Sequence, residues 1–312
     1  RSGSGSDKDI REPGFWETVK EVFLGVRRPF DCIQVEVTSR CPGRCTYCPR
    51  TTLKDRWQAR DMDVATFGRL WPLIRKSNRV HLQGWGEPLL NPAFFEMAAL
   101  ARKAGSQVST TTCGLRMDPQ LALRIVESGI DIVAFSLAGT DSASNASRSG
   151  VGFNRVYDAV SVLQNVRRDR MGVHLEIHFA YLMLASRMDA VRGLPALMQQ
   201  LGVHAAVIST LDYLPEPGLA AEAFQPHEAE KLARAAAVLA ETAAEARRLG
   251  VGFHFELPSP AAEGTACREN IHRSCFIAAV GSVSPCVCLF VPADVVDPRR
   301  RVFGSVHAAM PI

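Results

Sequence analysis

Residues 33–48 read IQVEVTSRCPGRCTYC, an apolar run typical of a buried strand followed closely by three cysteines. The cysteines are Cys41, Cys45 and Cys48, and their spacing is CxxxCxxC. Three thiolates at this spacing can hold three irons of a cubane cluster and leave the fourth iron without a protein ligand. Clusters that only transfer electrons usually have four cysteine ligands, so the spacing predicts an iron at which chemistry takes place.

A structural zinc site is the alternative interpretation of this loop. Closed zinc sites usually combine paired cysteines and histidines, with recurring CxxC or HxxxH spacings. The loop contains no histidine, and its first gap is three residues long instead of two. The spacing therefore favours the cluster over zinc.

Composition indicates a soluble globular protein with one large domain and a small appendage, since 47% of its 312 residues are hydrophobic. The net charge of +4 is small and dispersed, which argues against a nucleic-acid partner. No run is long enough to span a membrane and no signal peptide is evident, so we expect no membrane partner. Residues 1–6, RSGSGS, are typical of a tag remnant. Nine cysteines without secretory features favour metal ligation in the cytoplasm over disulfides.

Strand and helix patterns alternate along most of the chain. Strands are predicted at 33–37, 80–83, 107–112, 131–136, 174–180 and 205–209, and amphipathic helices at 93–104, 119–128, 153–170, 188–201 and 226–249. Several helices end at a glycine, as at Gly105, Gly129 and Gly202. This alternation predicts an α/β fold with a parallel sheet and helices outside it.

In curled parallel sheets the active site lies at the carboxyl ends of the strands, here called the mouth. The groups expected there are the cysteine loop, the segment 84–88, Cys113, Ser136, His178 and the loop 211–218. Beyond Glu256 the sequence is rich in Gly, Pro, Ser and Cys and has little helical periodicity. This change predicts a domain boundary near residue 256.

With these features in order, residues 30–255 resemble the radical SAM superfamily, whose signature is CxxxCxxC after the first strand of a partial (βα)6 TIM-like barrel. The resemblance implies that Cys41, Cys45 and Cys48 hold a 4Fe–4S cluster whose open iron chelates S-adenosylmethionine (SAM). Tyr47 would pack near the adenine. One-electron reduction would cleave SAM to a 5′-deoxyadenosyl radical, with the protein orienting the cofactor and excluding water.

The segment 84–88, GWGEP, resembles the GGEP segment that contributes to SAM binding in this family. The resemblance assigns Gly84, Gly86 and Glu87 to cofactor binding, with Glu87 as the acceptor for the methionine ammonium. The sequence departs from the family pattern by having Trp85 at or beside the first motif glycine.

Two residues at and after the fourth predicted strand resemble further SAM-binding positions. Ser136 resembles the serine of a fourth-strand SxDG motif, although Ala138 stands in place of its aspartate. Arg148 matches an arginine that can pair with the methionine carboxylate. The alternatives are a turn cap for Ser136 and a solvated surface position for Arg148.

The segment 256–312 resembles the cluster-binding extensions called twitch or SPASM domains. Its cysteines would ligate a second, auxiliary 4Fe–4S cluster in a small β-hairpin, and they are Cys267, Cys275, Cys286 and Cys288. Either a one-cluster twitch-like unit or a SPASM domain with further ligands beyond this sequence fits the pattern, and zinc remains an alternative. The predicted organisation is a tag remnant and entry helix over 1–29, the barrel over 30–255 and this extension over 256–312.

Two cysteines remain outside the two predicted clusters. Cys32 begins the first strand and is expected in the core, where a free cysteine acts as a small hydrophobe. Cys113 follows the third strand, and its thiol could return a hydrogen atom to a substrate radical; simple packing is the alternative. Further polar groups near strand ends are candidates without assigned roles: His178, Tyr181, Asp212, Tyr213 and Glu256.

Together these features predict a radical SAM enzyme of the oxidoreductase or epimerase type. Its expected substrate is a small molecule such as a sugar, nucleoside or cofactor precursor, and its expected electron donor is flavodoxin or ferredoxin. Radical modification of a peptide or protein side chain is the alternative within the family. A structural zinc-binding module is the non-enzymatic alternative.

Overall fold

The computed structural model describes residues 28–170, 172–258, 270–291 and 304–307. Within these ranges a single ten-stranded sheet is formed. Its strands are β1 (Phe30–Val35), β2 (Ser77–Leu82), β3 (Gln107–Thr112), β4 (Ile132–Leu137), β5 (Glu176–Met183), β6 (Ala205–Thr210), β7 (Gly252–Phe255), β8 (Ser274–Ile277), β9 (Ser282–Ser284) and β10 (Gly304–Ser305). The six predicted strands correspond to β1 to β6.

Helices separate the parallel strands, and sequence signals mark their ends. They are α1 (Pro49–Thr52), α2 (Val64–Gly68), α3 (Trp71–Ile74), α4 (Phe94–Lys103), α5 (Pro119–Ser128), α6 (Phe153–Arg168), α7 (Leu194–Leu201) and α8 (Ala229–Arg248). At the start of α5, Asp118 accepts a hydrogen bond from the N–H of Leu121 at 2.7 Å, an N-cap that contributes about 1 kcal/mol. Gly129 ends this helix with φ at 71°, as predicted. Among the described helices, none has the length and apolar character needed to cross a membrane.

The sheet is the open, partial barrel that the sequence predicts. Its strand order is β10-β9-β8-β1-β2-β3-β4-β5-β6-β7. Strands β1 to β7 run parallel to their neighbours. Among the described strands, β7 and β10 stand at opposite ends of this order and do not pair, so the barrel is not closed.

The two faces of the sheet have different environments. On β4, Val133, Phe135 and Leu137 are buried in the main hydrophobic core, whereas Ser136 is half-buried on the other face. Because successive side chains of a strand point to opposite faces, one face packs on the helices and the other lines the barrel interior. The interior face carries polar side chains as well, since on this face His81 Nδ1 lies 2.8 Å from the hydroxyl oxygen of Ser109.

The C-terminal strands extend the barrel sheet. Strand β8 pairs in parallel with β1, so that Ile33 lies opposite Cys275 and Val35 opposite Ile277. Strands β8 and β9 form the predicted antiparallel hairpin, and β10 pairs with β9. The division into units 30–255 and 256–312 stays a prediction, because both contribute strands to one sheet.

Candidate functional site

The cysteine loop connects β1 to α1 and is fixed by its own hydrogen bonds. The N–H of Cys48 donates to the carbonyl of Cys45 at 3.1 Å, and the N–H of Thr51 donates to the carbonyl of Cys48 at 2.8 Å. The guanidinium of Arg50 donates to the carbonyl of Gly43. These bonds hold the loop in one conformation, with its cysteines placed at the start of the helix.

Gly43 lies against two sulfur atoms of the motif. A Cβ at this position would be in ordinary contact with both, 3.4 Å from Cys41 Sγ and 3.8 Å from Cys45 Sγ, and would be crowded only by Cγ2 of Val151 at 3.0 Å. The three motif cysteines are half-buried and free of disulfides. Within the described residues, no group of three Cys, His, Asp or Glu side chains converges closely enough for a single metal ion.

The thiols of the motif differ in their electrostatic environment. A hydrogen bond from the Cys113 thiol lowers the pKa of Cys41 to about 7, against the opposing effect of burial. Burial raises the pKa of Cys48 to about 11. The hydrogen bond to Cys41, together with burial and the nearby Glu87 carboxylate, raises the pKa of Cys113. Since the thiolate is the form that binds metal, Cys41 is nearer to that form at neutral pH than Cys48.

A second loop, residues 147–151, packs against the cysteine loop. The N–H of Arg44 donates to the carbonyl of Ser149 at 2.7 Å, and the N–H of Thr46 donates to the carbonyl of Ser147 at 2.9 Å. Although 101 positions separate them in sequence, these bonds place Arg148 beside Tyr47.

Arg148 is a buried cation beside the cysteine motif, with 8% of its surface exposed. Its Nη1 donates to the hydroxyl of Tyr47 at 2.9 Å. Its Nε is buried without a hydrogen-bond partner, and the described ion pairs include no acidic partner for it. A buried charge without a counter-ion is costly, so this position fits an anionic ligand. The structure thus brings the predicted SAM-binding residues Tyr47 and Arg148 together.

The two glycines of GWGEP are required by close packing. A Cβ on Gly84 would lie 2.5 Å from the Cβ and Cγ atoms of Glu36. A Cβ on Gly86 would lie 2.1 Å from the carbonyl oxygen of Thr38. The loop after β2 therefore lies directly on the segment that leads from β1 into the cysteine motif. A role for these glycines in binding SAM stays a prediction.

Glu87 connects the GWGEP loop to the end of β3. Its Oε1 accepts a hydrogen bond from the hydroxyl of Thr112 at 2.7 Å, and its Oε2 accepts one from the N–H of Cys113 at 2.7 Å. Burial raises the pKa of Glu87, although these hydrogen bonds oppose the shift. The carboxylate thus holds together two loops of the mouth. Its contact with the SAM ammonium stays a prediction.

Cys113 and Ser136 both lie at the carboxyl-end half of the sheet. Cys113 follows β3 directly and is 6% exposed. Ser136 is half-buried on the interior face of β4, opposite Ala180 of β5. Both positions agree with the predicted mouth, whereas their chemical roles stay predictions.

The expectation that His178 lies at the mouth is wrong. The sequence predicts a strand over 174–180, whereas β5 covers Glu176–Met183. His178 is therefore near the beginning of its strand, with its Nε2 2.7 Å from Glu176 Oε2. Tyr181 is fully buried in the main hydrophobic core. The error arises because the apolar strand continues through residues 181–183.

Three other polar candidates do follow strand ends. The ring of Tyr213 lies 5.7 Å from that of Trp85, measured between centroids. Asp212 accepts a hydrogen bond from the hydroxyl of Thr210 at 2.8 Å. Glu256 directly follows β7 and is exposed. Tyr213 therefore contacts another element of the mouth.

The cysteines outside the motif occupy different environments. Cys275, on β8, is buried in the main hydrophobic core, and burial raises its pKa to about 12. Cys286 and Cys288 are half-buried, with Cys286 preceding a short 3₁₀ helix that contains Cys288. Cys267 lies outside the described residues, so the auxiliary ligand set stays a prediction. Cys32 is half-buried at the start of the sheet, and burial raises its pKa.

Glu36 is a buried acid at the mouth that the sequence analysis did not single out. Its Oε1 accepts a hydrogen bond from the N–H of Trp85 at 2.9 Å, and its Oε2 accepts one from the N–H of Ala279 at 3.2 Å. Burial raises the pKa of Glu36 to about 7, although both hydrogen bonds oppose the shift. The available signal was an acid inside an apolar run, because a buried charge needs specific partners.

Comparison with known protein families tests the predicted resemblance. Residues 35–179 match the Radical SAM superfamily, so the predicted resemblance is confirmed for this part of the chain. The match also confirms the predicted cofactors at the level of the family, which uses a 4Fe–4S cluster and SAM.

Curated relatives cover only part of this sequence. The chain is 24% identical to the tungsten-containing aldehyde ferredoxin oxidoreductase cofactor-modifying protein of Pyrococcus furiosus over 189 residues. This aligned segment covers 57% of this chain and 51% of the relative. The chain is 34% identical over 131 residues to GTP 3′,8-cyclase of Chlorobaculum tepidum, covering 40% and 38%. It is 32% identical over 107 residues to PqqA peptide cyclase of Ruegeria pomeroyi, covering 34% and 28%. The chain thus spans about half or less of the length of these relatives.

Solved structures support the fold. Streptococcus suis SuiB bound to S-adenosylmethionine superposes with a TM-score of 0.69 at 13% identity, covering 94% of this chain and 67% of SuiB. The anSMEcpe structure with bound AdoMet superposes with a TM-score of 0.64 at 17% identity, covering 88% and 77%. Both comparisons agree with a partial barrel.

Proposed function

We propose that this chain is an enzyme that binds a 4Fe–4S cluster through Cys41, Cys45 and Cys48 and cleaves SAM reductively. The observation that carries the proposal is the cysteine loop itself. Gly43 lies against two of its sulfurs, and the buried, unpaired Nε of Arg148 belongs to the loop packed beside it. The family match over residues 35–179 supports the same chemistry.

Different residues of the mouth hold the cluster and SAM. The three thiolates are the ligands of the cluster, and the guanidinium of Arg148 binds the methionine carboxylate. Tyr47, held by Arg148, packs near the adenine, and Ser136 and the GWGEP loop complete the SAM site. When bound, the reduced cluster and SAM supply a 5′-deoxyadenosyl radical that abstracts a hydrogen atom from the substrate. Glu87 holds the GWGEP loop and the end of β3 together through its hydrogen bonds to Thr112 and Cys113.

Of the two predicted outcomes, we favour oxidation of the substrate over epimerisation. Epimerisation needs a group that returns a hydrogen atom to the substrate radical, and Cys113 is the predicted donor. In the structure Cys113 is 6% exposed, and its backbone N–H donates to the buried Glu87 carboxylate at 2.7 Å. A thiol enclosed in this way fits a packing role, the predicted alternative, better than hydrogen-atom donation. Net oxidation also suits a second cluster on the C-terminal cysteines.

The substrate proposal remains a small molecule, with a peptide as the second candidate. Relatives provide examples of both classes by name, since one is a GTP 3′,8-cyclase and another a PqqA peptide cyclase. The second candidate is favoured by fold comparison, because SuiB has been crystallised with a precursor peptide, at a TM-score of 0.63 to this chain. The cytoplasmic location and a flavodoxin or ferredoxin electron donor also remain proposals.

Anaerobic reconstitution tests the central reaction. Iron and sulfide are counted against protein, SAM and dithionite are added, and 5′-deoxyadenosine is measured by mass spectrometry. We expect about eight irons for two cubane clusters, and deoxyadenosine formation that is lost in Cys45→Ala. About four irons would remove the auxiliary cluster from the proposal. Bound zinc without iron, and no cleavage, would support the structural zinc module instead.

Deuterium transfer tests the substrate class. The reconstituted protein is incubated with SAM, dithionite and an extract from cells of the source organism grown in deuterated medium. The extract is first divided by ultrafiltration into small-molecule and peptide fractions. Deuterium in 5′-deoxyadenosine from the small-molecule fraction supports the first candidate, whereas transfer only from the peptide fraction supports the second.

A further inference from the structure

Trp85 stands at or beside the first glycine of the family motif, and it contacts three separate parts of the molecule. Its indole Nε1 donates to the carbonyl of Phe290 at 2.8 Å. Its backbone N–H donates to Glu36 at 2.9 Å, and its ring lies 5.7 Å from that of Tyr213. One side chain of the loop after β2 therefore reaches both the loop after β6 and the C-terminal extension.

Glu36 provides a second connection between the barrel and the extension. Its carboxylate accepts hydrogen bonds from Trp85 and from Ala279, the second residue after β8. Gly84 leaves no room for a side chain above Glu36, since a Cβ there would lie 2.5 Å from Glu36 Cβ. The carboxylate is therefore confined between the GWGEP loop and the turn of the β8–β9 hairpin.

Both connections reach the part of the extension that contains Cys286 and Cys288. Phe290 packs on Phe276 of β8, with ring centroids 6.4 Å apart, in a small apolar cluster with Ala278. Cys286 and Cys288 lie within the four residues before Phe290. Trp85 thus holds the segment 286–290 at its last residue, Phe290. The ring of Phe290 also packs on β8, and Glu36 holds the residues that directly follow β8.

We infer that Glu36 and Trp85 are positioning residues that hold the segment 286–290 against the mouth, and so set where Cys286 and Cys288 stand relative to Cys41. The inference deepens the proposed function, on which it rests in taking this mouth as the site of reaction. A tryptophan is suited to this task because its indole N–H donates to a backbone carbonyl while its ring packs on a neighbour. A glycine at position 85 could make neither side-chain contact.

Hydrogen–deuterium exchange of the full chain, with equal iron and sulfide content in every variant, tests the inference. Trp85→Phe removes the indole N–H and keeps an aromatic ring. Glu36→Gln keeps the shape of the side chain but replaces one acceptor by a donor. Loss of one hydrogen bond corresponds to roughly 2- to 10-fold faster exchange, which we expect at 286–290 in Trp85→Phe and at 278–281 in Glu36→Gln. Peptides from β3 to β5 should be unchanged.

A matched control and a double variant separate positioning from general stability. Trp57→Phe also removes an indole–carbonyl hydrogen bond, the one from Trp57 to Ser39 at 2.9 Å, which lies outside the extension. It should leave exchange at 286–290 unchanged. Glu36→Gln alone should also raise exchange at 286–290, and combining it with Trp85→Phe should raise that exchange by less than the product of the single effects, because Glu36 and Trp85 are hydrogen-bonded to each other and hold the segment together.

Three results would overturn the inference: unchanged exchange at 286–290 in Trp85→Phe, an equal rise throughout the barrel, or a rise of the same size in Trp57→Phe. Multiplicative effects in the double variant would show that the two residues act independently and would also contradict it. The exchange readout does not depend on SAM cleavage. Failure of the proposed function, seen as no deoxyadenosine from the parent protein, is therefore distinguishable from failure of this inference.

Discussion

Replacing Glu36 by glutamine should change how the stability of the protein depends on pH. Burial raises the pKa of this carboxyl from 4.5 to about 7. The folded chain therefore binds a proton that the unfolded chain releases between these two values. For an acid with a raised pKa, stability is fully present below the unfolded pKa and is lost as pH rises through the folded pKa.

The size of the effect follows from the difference between the two pKa values. At about 1.36 kcal/mol for each pH unit, the full cost of ionising Glu36 in the folded state is about 3 kcal/mol. About 2.5 kcal/mol of this develops between pH 5 and pH 8, because the unfolded carboxyl is already largely ionised at pH 5. The glutamine side chain in Glu36→Gln cannot ionise, so this variant does not lose that part of the free energy of unfolding as the pH rises.

Urea unfolding of both proteins at pH 5, 6, 7 and 8, followed by circular dichroism under reducing conditions, measures the difference. The free energy of unfolding of the parent should fall relative to Glu36→Gln as the pH rises. Glu230→Gln, on the exposed surface of α8, is the control for removing one negative charge. If the free energies of unfolding of the parent and Glu36→Gln differ by the same amount at pH 5 and at pH 8, the reasoning is refuted, whatever the size of that difference.

Three further substitutions test the site. Arg148→Gln should raise the KM for SAM in the deoxyadenosine assay roughly 10- to 100-fold, the loss of a charged hydrogen bond, while iron content stays unchanged. Arg148→Lys should restore part of the affinity for SAM. An unchanged KM for SAM in Arg148→Gln would remove Arg148 from the SAM site. Gly86→Ala should destabilise the fold by about 1–3 kcal/mol in urea unfolding, because its Cβ would lie 2.1 Å from the carbonyl oxygen of Thr38; Gly218→Ala, where a Cβ meets nothing within 4 Å, should not. Glu87→Leu should cost about 1–3 kcal/mol at neutral pH, since it leaves the buried Thr112 hydroxyl and the N–H of Cys113 without their acceptor; equal stability to the parent would contradict those two bonds.

The sequence predicted the barrel well because its signals are local. Strand alternation, helix-ending glycines and the CxxxCxxC spacing each depend on a few neighbouring residues, and β1 to β6 follow the predicted strands closely. The error at His178 also has a local cause. The apolar run after residue 174 could not show where β5 ends, and a shift of a few residues moved His178 away from the mouth.

Contacts between distant segments were beyond the reach of sequence patterns. Nothing near Glu36 indicates that its carboxylate accepts a hydrogen bond from Ala279, 243 positions away. Trp85 was recognised only as a departure from the family motif, and its partner Phe290 lies 205 positions further along the chain. Cys113 was predicted at the mouth, but the hydrogen bond from its N–H to Glu87 depends on how two loops pack together.

The pairing of β8 with β1 has a consequence for the order in which the chain folds. Asp31 and Arg273 form an ion pair at 2.6 Å across 242 positions of sequence, at the start of the two paired strands. On the ribosome, the first strand of the barrel therefore has no partner on one side until residues 274–277 have been synthesised. Until then, its free N–H and C=O groups form an exposed edge that other chains can pair with. A nascent or truncated chain ending before residue 274 should therefore need protection from self-association, even though its cysteine loop is complete.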